Sequence, residues 1–414
     1  MKKIKRILII NKFLFANGGS ETYIFQTGDQ FRKMGCEVQY FGMEAPNRVV
    51  GNDLHLYTDA MDFHTGKLSK LLYPFKIIYS REAYRKLMCV LQHFQPDMVH
   101  VNNFNFQLTP SILYAVKNYK KHTKRQVAVI MTAHDSQLVC PNHLMTIPIS
   151  GKQCFDCRNG KYRNCVKNKC IHNSTLKSIL AAAEGYLYRW KKTYDLFDFI
   201  ICPSDYLRGC LNTDRILKKK TITLHNYIGI SNREQYTVEE KENYILFFGR
   251  YSEEKGIPLL AEICKRLPDI PFVVAGDGPY REQLEELPNI ENRGFLNGDE
   301  LYGTIAKARL VLFPSRCNEN CPFSVMEAIY LGTPVMGSRL GGVPELIRDS
   351  ETGYLMADGD TQAWTDKISW LWNHQDILTT LSENCRGISF DTLPEYCEKL
   401  ITLAEQRISN GAEK

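Results

Sequence analysis

The feature that most narrows the fold is an alternation of short apolar runs with stretches of helical spacing along the whole chain. In the first half the runs are Ile7–Ile10, Glu37–Phe41, Met98–Val101, Val127–Met131, Phe199–Cys202 and Thr221–Leu224. In the second they are Tyr244–Phe248, Phe272–Ala275, Leu310–Phe313 and Pro334–Met336. Strands separated by helices imply βαβ units and a parallel sheet, here twice over. A length of 414 residues agrees, because a single hydrophobic core stops growing well short of that size. The polar stretch from Tyr227 to Asn243 reads as linker and domain entry.

With 44% hydrophobic and 24% charged residues, the composition is that of a folded soluble protein rather than a disordered one. No apolar run reaches the roughly 18 residues that a membrane-spanning helix needs. Lys2 to Arg6 followed by Ile7–Ile10 resembles a secretion signal, but the run is short, stops at Asn11-Lys12 and lacks a small-residue cleavage site. A first strand accounts for it better. Fourteen cysteines without such a signal favour a reducing, cytoplasmic setting. The charge is unevenly divided: residues 1–225 carry 34 Lys+Arg against 16 Asp+Glu, and the remainder 18 against 30. A basic half suits an anionic partner such as a phosphate-bearing molecule or the inner face of a membrane, and an unevenly charged soluble surface is the plainer alternative. The segment Lys67 to Phe94 mixes apolar and basic residues around Pro74, and reads either as a helix lying on anionic lipid or as one packing a face on the core.

Three loops carry residues fit for chemistry. After the strand ending at Phe313, a loop bears Glu319 and a helix begins near Phe323 and runs through Glu327. Ligands of open parallel sheets bind beyond the carboxyl ends of the strands, which places a ligand at this loop. The amides of Phe323, Ser324 and Val325 at the helix start favour a phosphate. Glu319 and Glu327, acceptor-only groups eight positions apart, suit the hydroxyls of two sugars. After another strand, Arg250 and Lys255 in Gly249 to Gly256 can both reach one pyrophosphate. After the first strand, Gly18 and Gly19 let the backbone approach a ligand at a helix start, without the Gly-Lys-Ser/Thr ending of a Walker loop.

Together these residues resemble the retaining glycosyltransferases of the "glycosyl transferases group 1" family. Gly276 to Pro279, Arg293 to Phe295, Gly341 to Glu345, Pro96 to His100 and Thr132 to Asp135 fall in the family's order as well. The resemblance implies a GT-B fold: two Rossmann-like α/β domains facing across a cleft, with a C-terminal helix crossing back to the first. The expected domains are 1–226, acceptor-side, with a Cys-rich insertion at about 140–175; 227–385, binding the nucleotide sugar; and 386–414, the returning helix. The implied activity is a metal-independent, retaining transfer of a hexosyl group from a UDP-sugar or GDP-sugar to a glycan or lipid-diphosphate-linked acceptor, with no cofactor needed for catalysis.

The implied roles are assigned residue by residue. Arg250 and Lys255 neutralise the departing diphosphate, Glu319 holds the donor sugar and Glu327 the ribose. Phe323, Ser324 and Val325 assist at the phosphate, with Asp277, Gly278 and Phe295 also on the donor side. Gly18 and Gly19 approach the diphosphate from the first domain, and His134 sits beside the sugar. An epimerase or sugar phosphorylase of the same fold is the nearest alternative activity. Asp358-Gly359-Asp360 reads as a surface turn rather than a metal site.

Cys154, Cys157, Cys165 and Cys170 lie within seventeen residues among Lys, Arg, Asn and Gly. Such a cluster suits a structural zinc, with Cys140, His143 and His172 as substitute ligands, or a thiol-rich loop without metal. Joined to the basic first half, a zinc would also suit a nucleic-acid-binding protein, although that reading leaves the Arg, Lys and Glu residues of the second half without a purpose.

Overall fold

The computed structural model describes residues 4–59, 77–357 and 359–412, which divide into two compact units. The first comprises Met1–Leu224 and Leu393–Lys414, the second His225–Thr392.

The first unit is built on a six-stranded sheet in the order β2-β1-β3-β4-β5-β6. Its strands are β1 (Arg6–Ile10), β2 (Glu37–Phe41), β3 (Met98–Val101), β4 (Ala128–Thr132), β5 (Phe199–Cys202) and β6 (Thr221–Thr223). All pairings are parallel, for example Ile7 with Val38 on one side and with Met98 on the other. Among the helices of this unit are α1 (Gly19–Lys33), α2 (Arg81–Phe94), α3 (Ser111–Thr123), α4 (Arg163–Lys167) and α5 (Thr175–Trp190). Helix α2 starts where the Ser80 hydroxyl accepts from the Ala83 amide, and buries Ala83, Leu87, Val90, Leu91 and Phe94. This part of the Lys67–Phe94 segment therefore packs on the core, and the rest of the segment up to residue 76 lies outside the described residues.

The second unit has the order β12-β11-β10-β7-β8-β9, again all parallel. Its strands are β7 (Ile245–Phe248), β8 (Phe272–Ala275), β9 (Ile290–Asn292), β10 (Leu310–Phe313), β11 (Val335–Ser338) and β12 (Gly353–Met356), and helix α6 (Phe323–Tyr330) lies between β10 and β11 in the chain. Successive side chains of a strand point to opposite faces. Leu246, Phe248, Val311 and Phe313 accordingly join one core, and Ile245, Phe247, Leu310 and Leu312 join another. Both faces are covered, so these strands read as continuous apolar runs. The segment expected to be a polar linker contributes to this packing: Tyr227, Ile228 and Ile230 are buried, and the Ile228 amide donates to the Asp391 carbonyl at 2.8 Å.

The last helix, α7 (Leu393–Ala412), belongs to the first unit. It buries Tyr396, Cys397, Leu400, Ala404 and Ile408. Tyr396 and Tyr23 of α1 are hydrogen-bonded through their hydroxyls at 2.9 Å, and Arg407 donates to the Asp198 carboxylate at 2.5 Å. No helix among the described residues is long and apolar enough to cross a membrane.

Candidate functional site

In an open α/β sheet the binding crevice forms where neighbouring strands send their chains to opposite sides. In the second unit that point lies between β7 and β10. The loop after β7 carries Arg250 and Lys255, and the loop after β10 carries Glu319. The two loops meet. Lys255 Nζ lies 2.5 Å from Glu319 Oε1, which also accepts from the Ser315 hydroxyl at 3.1 Å and the Cys317 thiol at 3.3 Å. Burial works against the Lys255 charge, but the adjacent Glu319 carboxylate outweighs it and raises the ammonium pKa above its ordinary value.

Backbone packing holds this arrangement. The Arg316 amide and Ser315 hydroxyl both donate to the Glu254 carbonyl, at 2.9 and 3.2 Å. Gly256 adopts φ +81°, and a Cβ there would lie 1.9 Å from the Pro314 carbonyl oxygen, so only glycine lets the loops approach this closely. Gly341 does the same for Glu319: at φ +58° its missing Cβ would fall 2.2 Å from the Glu319 carbonyl oxygen, which accepts from the Gly342 amide at 2.7 Å. Tyr251, next to Arg250, donates its amide to the Asp277 carbonyl at 2.8 Å, which brings the Asp277-Gly278 turn to the same edge.

Helix α6 begins at Pro322 with no side-chain cap, leaving its first amides for another acceptor. The residues expected at a phosphate, Phe323, Ser324 and Val325, form its first turn, with Val325 buried in the core. Glu327 lies one turn on, and burial alone pushes its carboxyl up to about 7. Phe323 packs edge-on against Tyr227 at 5.5 Å between ring centres. Phe295 stands 77% exposed in the loop after β9.

In the first unit the corresponding point lies between β1 and β3. Gly18 and Gly19 cap and open α1, and a Cβ at Gly19 would meet nothing within 4 Å. Asn11, the first residue after β1, donates to the buried Glu21 at 2.9 Å and accepts from the Asn103 amide at 3.0 Å. His134 follows β4, its Nε2 2.9 Å from Asn102 Oδ1. Asn102 donates its amide to the His100 carbonyl at 3.4 Å, so its oxygen faces His134 and the Nε2 nitrogen carries the proton. Tyr23 packs edge-on against the His134 ring at 4.9 Å. Burial lowers the His134 pKa to about 4, which keeps the imidazole neutral at ordinary pH. Asn11, Asn102 and Ser315 were not singled out from sequence; their signal is only that each follows a strand's carboxyl end.

Cys140, Cys154, Cys157, Cys165 and Cys170 are brought close enough for their thiols to influence one another. Cys157, Cys165 and Cys170 pack with Tyr162 and Ala182 in a small core, Cys154 is half-buried and accepts from Asn168 at 3.8 Å, and Cys140 packs with Met145 and Cys210. Among the described residues no three His, Cys, Asp or Glu are placed to hold a metal ion. Asp360 caps the helix after it by accepting from the Ala363 amide, and Asp358 lies outside the described residues.

Residues 17–231, half of the chain, match the sequence family described as "Glycosyltransferase Family 4", and residues 230–387 match "Glycosyl transferases group 1". An uncharacterized glycosyltransferase of Methanocaldococcus jannaschii is 28% identical over 234 residues, 55% of this chain and 64% of that protein. A sulfoquinovosyl transferase of Arabidopsis thaliana is 31% identical over 155 residues, 36% of this chain and 30% of the relative. A GDP-mannose-dependent alpha-mannosyltransferase of Corynebacterium glutamicum is 33% identical over 174 residues, 42% of each chain. The chain thus matches less than two thirds of the length of each of these relatives. Among solved structures, Anabaena HepE in complex with UDP superposes with a TM-score of 0.61 at 15% identity, covering 99% of this chain and 100% of that one. Sucrose-phosphate synthase of Thermosynechococcus elongatus gives 0.60 at 16% identity, with 99% and 98% covered. These likenesses show the two-domain α/β fold.

Proposed function

The chain belongs to the glycosyltransferases, its first half to family 4 and its second to group 1, and on that premise we propose that it transfers a sugar from a nucleoside-diphosphate sugar with retention of configuration and without a divalent metal. The observation that carries the reading is the meeting of Lys255 and Glu319 at the switch point of the second unit. A cation and a carboxylate held in contact there are each a ready partner for one half of such a donor. On binding, Lys255 exchanges Glu319 for the diphosphate, joined by Arg250, and Glu319 turns to the sugar hydroxyls. The bond from the sugar's anomeric carbon to the diphosphate oxygen breaks, and the two cations stabilise the charge that develops on the leaving group. They supply what a divalent ion would supply. A leaving phosphate oxygen accepts the proton of the incoming hydroxyl on the same face, so the reaction calls for no enzymic base.

Glu327 accepts from the ribose hydroxyls, and the amides of Phe323, Ser324 and Val325 meet the phosphate. Asp277, Gly278 and Phe295 line the donor side. In the first unit Gly18 and Gly19 serve the diphosphate, and neutral His134 serves the sugar as a hydrogen-bonding group. A UDP- or GDP-sugar is the donor this reading favours, in view of the UDP bound to HepE and the GDP-mannose dependence named for the Corynebacterium relative. A glycan or lipid-diphosphate-linked acceptor suits the basic first half. A thermal-shift panel of nucleoside diphosphates and their sugars tests the donor site. One of them raises the wild-type melting temperature by about 5–10 °C near saturation and leaves Lys255→Ala unmoved. A panel in which none stabilises the wild type removes the reading.

A further inference from the structure

Helix α5 (Thr175–Trp190) is turned inside out relative to an ordinary amphipathic helix. Its buried side holds Ser178, Ala181, Ala182, Glu184 and Tyr188. Leu176, Ile179, Tyr186 and Trp190 face away from the core, exposed by 77, 49, 44 and 77%. With Ala183, also exposed, these positions repeat at intervals of three and four, which at 3.6 residues per turn sets them on one stripe about 80° wide. Of the eleven large apolar side chains exposed among the described residues, six lie between Leu144 and Trp190. Scattered exposed apolar residues are normal; a stripe of this kind marks an interaction surface.

The charge around the stripe identifies the partner. Residues 144–192 hold ten Lys and Arg against Asp156 and Glu184, and Glu184 is buried under the helix. Lys177 lies exposed beside Leu176, and Lys191 and Lys192 come directly after Trp190. The short basic helix α4 packs against α5, with Arg163 donating its amide to the Tyr186 hydroxyl at 3.1 Å, and Lys161, Arg163, Lys167 and Lys169 are all exposed there. A second copy of the chain would bring these like charges face to face. An anionic bilayer answers both features, since aliphatic side chains enter its interface, Tyr and Trp sit at headgroup level, and each basic residue near the surface adds attraction.

We propose that the α4–α5 face docks on an anionic phospholipid membrane, with Leu176, Ile179, Tyr186 and Trp190 inserted at the interface and the flanking lysines and arginines on the headgroups. The docking stands apart from the transfer reaction and needs no donor, so a failed activity assay leaves it intact. It is tested by co-sedimentation of the full chain with vesicles of phosphatidylcholine, or of equal parts phosphatidylcholine and phosphatidylglycerol. The expected result is binding to the mixed vesicles only, weakened by salt. The triple variant Leu176→Ser, Ile179→Ser, Trp190→Ser and the charge variant Lys177→Glu, Lys191→Glu each lose at least tenfold in partitioning while keeping the wild-type melting temperature. Acrylamide quenching, read as the difference between wild type and Trp190→Phe, shows Trp190 accessible in solution and shielded on the mixed vesicles. Equal partitioning of the variants, or no partitioning of the wild type, overturns the proposal. So does a wild-type dimer abolished by the triple variant, which would assign the face to a second copy. A Trp190 already shielded in vesicle-free protein would show that the chain covers the stripe itself.

Discussion

Glu327, proposed to meet the ribose hydroxyls, sits where burial resists its charge. Burial lifts its pKa to about 7, against about 4.3 for an unfolded glutamate. The folded state therefore holds the proton more tightly, and this group's contribution to stability falls as pH rises between those values, then levels off above about 7. On the proposed assignment donor binding runs the other way, because the ionised form is the better acceptor for the ribose hydroxyls. The apparent KM for the donor should fall as pH rises through about 7, and Glu327→Gln should flatten both the KM trend and the stability trend. A variant with the wild-type slopes would show that Glu327 neither meets the donor nor titrates in this range. At this scale Arg250, Lys255 and Glu319 were readable as candidates because each lies in a loop just past an apolar run, and Glu327 because it falls on the helix that follows one such loop. Ser315 and Asn102 were not, since neither residue type is unusual in a loop and only the folded contacts, to Glu319 and to His134, give them a role.

Ten of the twelve strands were visible as short runs, nine of them largely buried and the tenth, β6, a half-buried edge strand of β-branched residues. The two that were not, β9 (Ile290–Asn292) and β12 (Gly353–Met356), lie at the two edges of the second sheet and are mostly half-buried, so the apolar signal is diluted. Of the four cysteines read as ligands or as a thiol-rich loop, three are buried in a small core of the insertion. The last helix carries Tyr396, Leu400, Leu403 and Ala404 at helical spacing; of these Tyr396, Leu400 and Ala404 are buried, together with Cys397 and Ile408, and Leu403 is half-buried. Because this helix packs in the first unit, removing residues 393–414 should destabilise that unit and cost transfer activity, although every proposed donor ligand remains. A gentler version, Leu400→Ala, should cost about 2–5 kcal/mol and lower the melting temperature by on the order of 10 °C. Unchanged melting in both variants would make the helix a tail without structural consequence.

At the scale of the whole molecule, chain order explains how, within each unit, residues far apart in sequence come to lie together. Each unit has one place where its strand order reverses: Gly18 and Gly19 follow β1 at that place in the first unit, with His134 after the nearby β4, and Arg250, Lys255 and Glu319 lie at it in the second. What sequence could not supply was the contact between Lys255 and Glu319, which depends on Gly256 and Gly341 letting separate loops touch. The claim that protein cations at this contact replace a metal on the leaving group is tested most directly by measuring acceptor-dependent release of free nucleoside diphosphate in the presence of EDTA. Wild type should release it at full rate and only when acceptor is present, and Lys255→Ala or Arg250→Ala should be slower by on the order of 100-fold with melting unchanged. Release that stops in EDTA and returns with manganese or magnesium, or a wild-type rate in both variants, would contradict that claim.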